Sequence, residues 1–394
     1  MINQNERSSY QIKRDVISRK LLYIFIFLLA ASFLIHSFTK TKEYSERENR
    51  NLAQKPDISW EKITNGTFMS EYEEYVSDQF AFRDICVVFR SAFSSFLGKS
   101  ESNGVYKSKN GYLIQDFKKP DKENMRKQVN AIYDFTKEYP KLHHYIAIAP
   151  NAVSVLFDKL PKDAPVYDQN LYINELEKEL GSDLKFIDLR KSLTAHKKEY
   201  IFYKTDHHWT TLGAWYGYQK IAKEMGLKNG LLTKYEVLDV TSAFQGTLSA
   251  TSGYGTYTYD TISTYIDKED KLSTLVYYVE EQDKEPTLYK KEALENRDKY
   301  QVFLGGNHPL IEIDTNANSK KTLLIFKDSY ANCVIPFLAH DYKKIVVVDP
   351  RYYYGDLKEL MTSKKINDVL YLYNADTFST DTSLASLLAN SLQE

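Results

Sequence analysis

Leu21 to Phe38 is an apolar run of 18 residues interrupted only by Ser32, His36 and Ser37, and it withdraws the start of the chain from any ordinary water-soluble fold. As a helix it is roughly 27 Å long, enough to cross a bilayer core. Lys13, Arg14, Arg19 and Lys20 precede it. Positive charge stays on the cytosolic side of a span, so residues 1–20 are expected in the cytosol and everything after residue 38 outside. A cleaved signal peptide is the rival reading and a buried soluble helix a further one. The length of the run, its basic flank and the lack of a clear A-x-A site favour an uncleaved anchor over residues 21–38. The expected location is a single-pass cell-membrane protein with an extracytoplasmic body.

The 394 residues leave room beyond the anchor for one large or two ordinary domains. With 52 basic and 53 acidic residues the net charge is −1, so no global field favours nucleic acid or an acidic polymer. The two cysteines, Cys86 and Cys333, exclude a disulfide framework and a C-x-x-C metal pattern. They are free to pair with each other or to remain buried thiols. Tyrosine occurs 32 times; such rings stack on sugars while their hydroxyls bond to them, and they also serve as strand filler.

Residues 39–61 are polar and charged and read as a stalk. The apolar positions between Phe68 and Leu97 recur at helical spacing with a break near Asp78 and Arg83, which predicts two short helices. Residues 39–100 are thus taken as stalk and N-terminal helices, and 101–394 as the main domain. Gly104-Val105-Tyr106 and Gly111-Tyr112-Leu113-Ile114 predict strands around an Asn110-Gly111 turn. Then helix and strand alternate: a helix over about 124–139, a strand over 144–149, a helix around 172–180 and a strand over 186–189. Thr210 or Thr211 caps a further helix that ends at Gly226. The unit repeats with strands at 322–326, 345–348 and 369–373 and helices between them. Apolar strands joined by helical crossovers predict an α/β fold, a parallel doubly wound sheet with helices on both faces. Residues 241–321, rich in Ser, Thr, Tyr and Gly (Gly246, Thr247, Ser249, Thr251, Gly253, Tyr254, Gly255, Thr256) and then charged, are expected to be an insertion covering one end of the sheet.

Two stretches carry chemistry. Asp206-His207-His208-Trp209 places a carboxylate two residues before an imidazole; in an extended loop the two project to one side, so the carboxylate reaches the ring Nδ1. Lys327-Asp328-Ser329-Tyr330 follows the apolar strand 322–326. There Ser329 would stand at the carboxyl end of a parallel strand with the amides of the next helix turned toward it. A serine hydroxyl is a weak nucleophile unless an imidazole takes its proton and a carboxylate holds that imidazole in the right tautomer. Asp206, His208 and Ser329 supply such a set, and the Ser329 amide can help hold an oxyanion. Asp-Ser after a strand is also an ordinary helix cap. Asp206, His207 and His208 are all metal-ligand types, but adjacent histidines seldom converge on one ion and no second carboxylate cluster is spaced to complete a site. Neither a metal nor another cofactor is expected. Asp-His-His phosphoesterases need further Asp motifs, and protein palmitoyltransferases have Cys where this chain has Trp209.

Several separated pieces together resemble the DHHW family, itself similar to the SGNH-hydrolase-like proteins that O-acetylate alginate and other bacterial cell-surface polysaccharides. They are Asp78-Gln79-Phe80-Ala81-Phe82-Arg83-Asp84, Gly104-Val105 with Asn110-Gly111-Tyr112-Leu113, Thr205-Asp206-His207-His208-Trp209, Gly305-Gly306-Asn307-His308-Pro309 and Lys327-Asp328-Ser329-Tyr330. The resemblance runs from about Thr39 to the C-terminus. It implies an SGNH-like sheet with Ser329 as nucleophile, Asp206 and His208 as acid and base of a D-x-H-W motif, and His207 in its variable middle position. It also implies oxyanion or substrate-binding donors on the loops after the next two strands, where Gly355 and Asn374 stand. The acid–base motif precedes the nucleophile, as in a circular permutation of the SGNH order. The departure is Lys327 where SGNH enzymes place Gly.

The resemblance and the anchor together imply an extracytoplasmic O-acetyltransferase that acts on hydroxyls of a cell-surface or cell-wall polysaccharide through an acyl-serine. A membrane-bound O-acyltransferase is the partner expected to deliver the acetyl groups. A carbohydrate acetylesterase of the same fold and a non-catalytic polysaccharide-binding or assembly protein are the alternatives.

Overall fold

The computed structural model describes residues 4–45, 50–181, 184–254, 258–269 and 271–392; Gly255 and Thr256 of the Ser/Thr/Gly-rich segment lie outside them. The chain divides into two units, 1–90 and 91–394.

The first unit begins with helix α1 (Gln4–Phe38). Its stretch Arg14–His36 is long and apolar enough to cross a membrane, and none of that stretch is buried. Helix α2 (Thr67–Gln79) follows, and α3 (Arg83–Phe96) runs across the unit boundary. The break falls at residues 80–82, next to a polar knot at the end of α2. Asp78 accepts the Ala53 N–H at 2.9 Å, while the Gln79 amide pairs with the backbone of Lys42 and Ala53. These bonds tie the segment after α1 to α2.

The second unit opens with the antiparallel pair β1 (Val105–Lys107) and β2 (Leu113–Gln115). Their connection places Asn110 and Gly111 at positive φ, +60° and +77°, the conformation that Asn and Gly tolerate best. Next come α4 (Lys122–Glu138), β3 (His143–Ala149), α5 (Gln169–Leu180), β4 (Lys185–Asp188) and α6 (Thr211–Met225). Thr210 caps α6 by accepting the Gly213 N–H, and Gly226 closes it at φ +70°. Strands β5 (Tyr235–Phe244) and β6 (Asp260–Asp267) form an antiparallel ribbon of their own. The rest of the sheet is β7 (Thr274–Tyr278), β8 (Asp283–Glu285), β9 (Leu310–Thr315), β10 (Thr322–Lys327), β11 (Lys344–Val348) and β12 (Asp368–Asn374), with α7 (Leu357–Lys364) and α8 (Ser383–Ser391).

The eight-stranded sheet has the order β8-β7-β9-β11-β10-β12-β3-β4. The five strands from β11 to β4 are parallel, and β9, β7 and β8 are added antiparallel. The sheet is therefore mixed, which corrects the expectation of an all-parallel one. Residues 241–321 extend its edge with three strands instead of only covering an end. Every residue of β10 and β12 is buried, as continuous apolar strands under two helical layers must be. Helices α4, α5, α7 and α8 pack together, and α6 packs with the short helix Ile335–Leu338. The crossovers β10 to β11 and β11 to β12 run in opposite directions along the sheet, so right-handed connections put their helices on opposite faces.

Both cysteines are free: Cys86 is exposed and Cys333 buried. This corrects the alternatives of a disulfide or two buried thiols.

Candidate active site

The register sets three loops side by side. Lys327 pairs with Leu372, and Asn374 pairs with Ala149, so the carboxyl ends of β10, β12 and β3 finish at one level. Asp328-Ser329, Asn374 and Asn151 follow those ends, where the loops of a parallel sheet open outward. Asp328 caps the 3-10 turn Ser329–Cys333 by accepting the Tyr330 N–H at 2.9 Å. Its other oxygen takes both the main-chain N–H and the side-chain amide of Asn374, at 2.7 and 2.6 Å.

The Asp-His-His-Trp motif arrives on a tight loop closed by a bridge between Phe202 and Trp209. The loop is bent, which corrects the extended geometry expected from the spacing. Asp206 Oδ1 accepts the His208 main-chain N–H at 2.9 Å and meets the ring Nδ1 at 2.6 Å. An Asp accepting from the residue two positions on is a local turn in its own right, and it brings the ring to the carboxylate. The other ring nitrogen, Nε2, lies 2.7 Å from Ser329 Oγ. Asp206, His208 and Ser329 thus form one continuous hydrogen-bonded chain, its second link joining residues 121 positions apart.

Three supports escaped the sequence reading. The Thr247 N–H and hydroxyl donate to Asp206 Oδ2 at 2.8 and 3.1 Å. Asp260 accepts from Lys204 N at 2.8 Å, Thr205 N at 2.7 Å and the Thr205 hydroxyl at 2.6 Å, and also from the Tyr200 hydroxyl. Gly246 leaves the space that Asp206 fills, since a Cβ there would stand 2.2 Å from the Asp206 Cβ. All three lie in or beside the segment read as a mere cover, and only their turn-rich composition marked it.

Burial works to raise the Asp206 pKa, but the charges of His207 and His208 and the hydrogen bonds from His208 outweigh it. They hold the carboxyl well below the usual carboxylate range. Burial and the neighbouring His208 pull His207 down to about 4, against the attraction of Asp206. His207 Nδ1 lies 2.8 Å from the Thr247 hydroxyl. Asp206, His207 and His208 offer three ligand atoms within 4.8 Å of one another. An ion there would have to displace the bonds that already occupy both nitrogens of His208.

Lys327, the departure from the SGNH pattern, keeps its strand pairing and sends its side chain into a dry ion pair with Asp349 at 3.2 Å, with Asn307 Oδ1 at 2.8 Å. Asp349 is held from the other side by Arg351. Asn307, from the Gly305–Pro309 motif, also accepts from Asn332 in the Ser329–Cys333 turn.

A cavity of about 810 Å³ lies beside the loop, lined among others by His207, Asn151, Thr247, Asp116 and Asp376. Of the described residues lining it, Asn374 is one and Gly355 is not. Gly355 is exposed in the turn before α7, against the Tyr353 ring. The side-chain amide of Asn374 is spent on Asp328 and on the Thr377 hydroxyl at 2.8 Å. No tyrosine among the described residues lines this cavity; Tyr203, Tyr218, Tyr330, Tyr371 and Tyr373 are fully buried core residues.

A family model described as "DHHW protein" matches residues 128–348. Among solved structures, a DHHW family protein from Eubacterium siraeum DSM 15702 is 22% identical, with a TM-score of 0.63 over 74% of this chain and 96% of that one. Bacillus cereus PatB1, described with a sulfonyl adduct, is 23% identical, with a TM-score of 0.60 over 71% of this chain and 98% of its own. No curated protein matches the sequence.

Proposed function

The chain belongs to the DHHW family, and from that premise we propose that it is an extracytoplasmic O-acetyltransferase for hydroxyls of a cell-surface or cell-wall polysaccharide. The observation that carries the reading is His208 bonded through one nitrogen to Asp206 and through the other to Ser329, at 2.6 and 2.7 Å. His208 Nε2 takes the Ser329 proton as Oγ attacks the acetyl carbonyl of a donor ester. Asp206 keeps the proton on Nδ1 and stabilises the imidazolium that forms. Collapse of the tetrahedral adduct expels the donor oxygen, which leaves with the proton from His208. A sugar hydroxyl then gives its proton to His208 and attacks the acetyl-Ser329 ester, which regenerates the serine.

The oxyanion needs donors at the nucleophile itself. Ser329 begins a 3-10 turn, where the first amides have no intrahelical acceptor, so its own N–H is the first assigned. Asn374 acts one step back by holding Asp328. The acid–base motif lies ahead of the nucleophile strand, the order expected of a permuted SGNH sheet. Arg14–His36 serves as the anchor that holds the body outside the membrane, within reach of a multi-span partner supplying acetyl groups.

The test is the full-length protein in nanodiscs with p-nitrophenyl acetate and a cell-wall oligosaccharide. The expected result is nitrophenol release together with an acetylated sugar, both lost in Ser329→Ala. Nitrophenol without sugar acetylation makes the protein an esterase, and equal turnover in Ser329→Ala overturns the nucleophile.

A further inference from the structure

Two hydrogen bonds at the edge of the His208 ring fix where its nitrogens point only if the plane of the ring is also fixed. Two aromatic rings lie 3.9 Å from it: His207, inclined at 36°, and Tyr300, nearly parallel at 12°. The Tyr300 hydroxyl reaches 3.2 Å from the main-chain carbonyl of Ser329 and 3.2 Å from Cys333 Sγ. Tyr300 therefore touches the imidazole with its face and the nucleophile turn with its tip.

We propose that Tyr300 is a positioning residue that acts through its ring, whose face sets the plane of His208, the hydroxyl contact with the Ser329 carbonyl being secondary. The proposal rests on His208 acting as the base. Tyr300 is itself immobile. It is buried in the 3-10 turn Lys299–Val302, with Phe303 5.2 Å away at 58° and Tyr203 6.2 Å away at 85°. Burial and the nearby Cys333 push its hydroxyl well above the ordinary tyrosine value, so it stays a neutral donor. A flat apolar face against the imidazole blocks rotation about the last side-chain torsion, a soft and roughly two-fold one in histidine. The same face favours the imidazolium formed when the serine proton is taken. No local pattern singles Tyr300 out: it lies in the charged part of the 241–321 segment and is one tyrosine among 32.

Tyr300→Phe keeps the face and loses the tip, whereas Tyr300→Leu loses both. With full-length protein and p-nitrophenyl acetate, Tyr300→Phe is expected to stay within about threefold of the parent kcat, and Tyr300→Leu to fall roughly 30- to 100-fold with KM nearly unchanged, the scale of a small misplacement of reacting groups. Nitrogen-15 spectra of histidine-labelled protein provide a readout independent of turnover. The single Nδ1–H tautomer of His208 is expected to survive in the Phe variant and to average in the Leu variant. Equal kcat losses in the two variants overturn the proposal. So does a lowered melting temperature in the Leu variant with an unchanged tautomer, which marks a purely structural residue. A parent without Ser329-dependent turnover removes the proposed function alone, and the tautomer spectra then decide Tyr300.

Discussion

Trp209 donates its indole N–H to the main-chain carbonyl of Tyr330 at 3.0 Å, and Tyr330 returns its hydroxyl to the main-chain carbonyl of His207. Each residue stands next to a member of the proposed triad, Trp209 after His208 and Tyr330 after Ser329. The reciprocal pair latches the two loops together, independently of the bond between His208 and Ser329.

Trp209→Phe removes one half of that latch. The ring is fully buried, and Gly217 sits so close to it that a Cβ there would stand 3.0 Å from the indole. Loss of ring volume and of a buried donor is expected to cost about 2–4 kcal/mol, read as a lower urea midpoint. Turnover should fall further than that loss of folded protein explains. Unchanged turnover in the folded fraction would show that the latch does not align the loops.

Gly246→Ala tests the space beside Asp206. The glycine has an ordinary φ of −84°, so the cost is contact and not backbone strain. Its new Cβ would stand 2.3 Å from Asp206 Oδ2. Asp206 must shift, and turnover is expected to drop by roughly 100-fold while circular dichroism stays native. Parent-like kinetics would mean that the carboxylate position is not critical.

The pH dependence of stability carries a sign. His207 is held at about 4, against about 6.5 in an unfolded chain. Between those values the unfolded chain binds the proton and the folded one does not, so stability falls as pH drops from about 6.5 toward 4. Asp206, held below its unfolded value, adds a further loss as the pH falls below about 4. Urea midpoints at pH 7, 5.5 and 4.5 should decline, and His207→Gln should flatten the decline. A steeper decline in that variant contradicts the assignment.

The parallel half of the sheet was legible because strands buried on both faces are continuous apolar runs, as Leu323 to Phe326 and Ile345 to Val348 are. The antiparallel strands β7 and β9 were not. Their buried and open residues are interleaved within a charged stretch, and only the pairing of β9 with β11, and of β7 with β9, makes them sheet. Asp206, His208 and Ser329 were readable as candidates from residue type and placement, but their contact rests on the Asp206 turn and the register of β10, β12 and β3. Thr247 and Asp260 act through hydrogen bonds spanning 41 to 60 positions, and no local pattern announces partners at such range. Gly355 stands on the loop after β11 but away from the cavity, since loop order along a chain does not set where a turn residue points.

The most direct test is covalent. Full-length protein treated with phenylmethylsulfonyl fluoride and digested for peptide mapping should carry one sulfonyl group, on Ser329. It should form roughly a thousandfold more slowly in His208→Ala, the scale on which triad members act. A sulfonyl group on another residue, or one formed on Ser329 at the same rate without His208, would contradict the account.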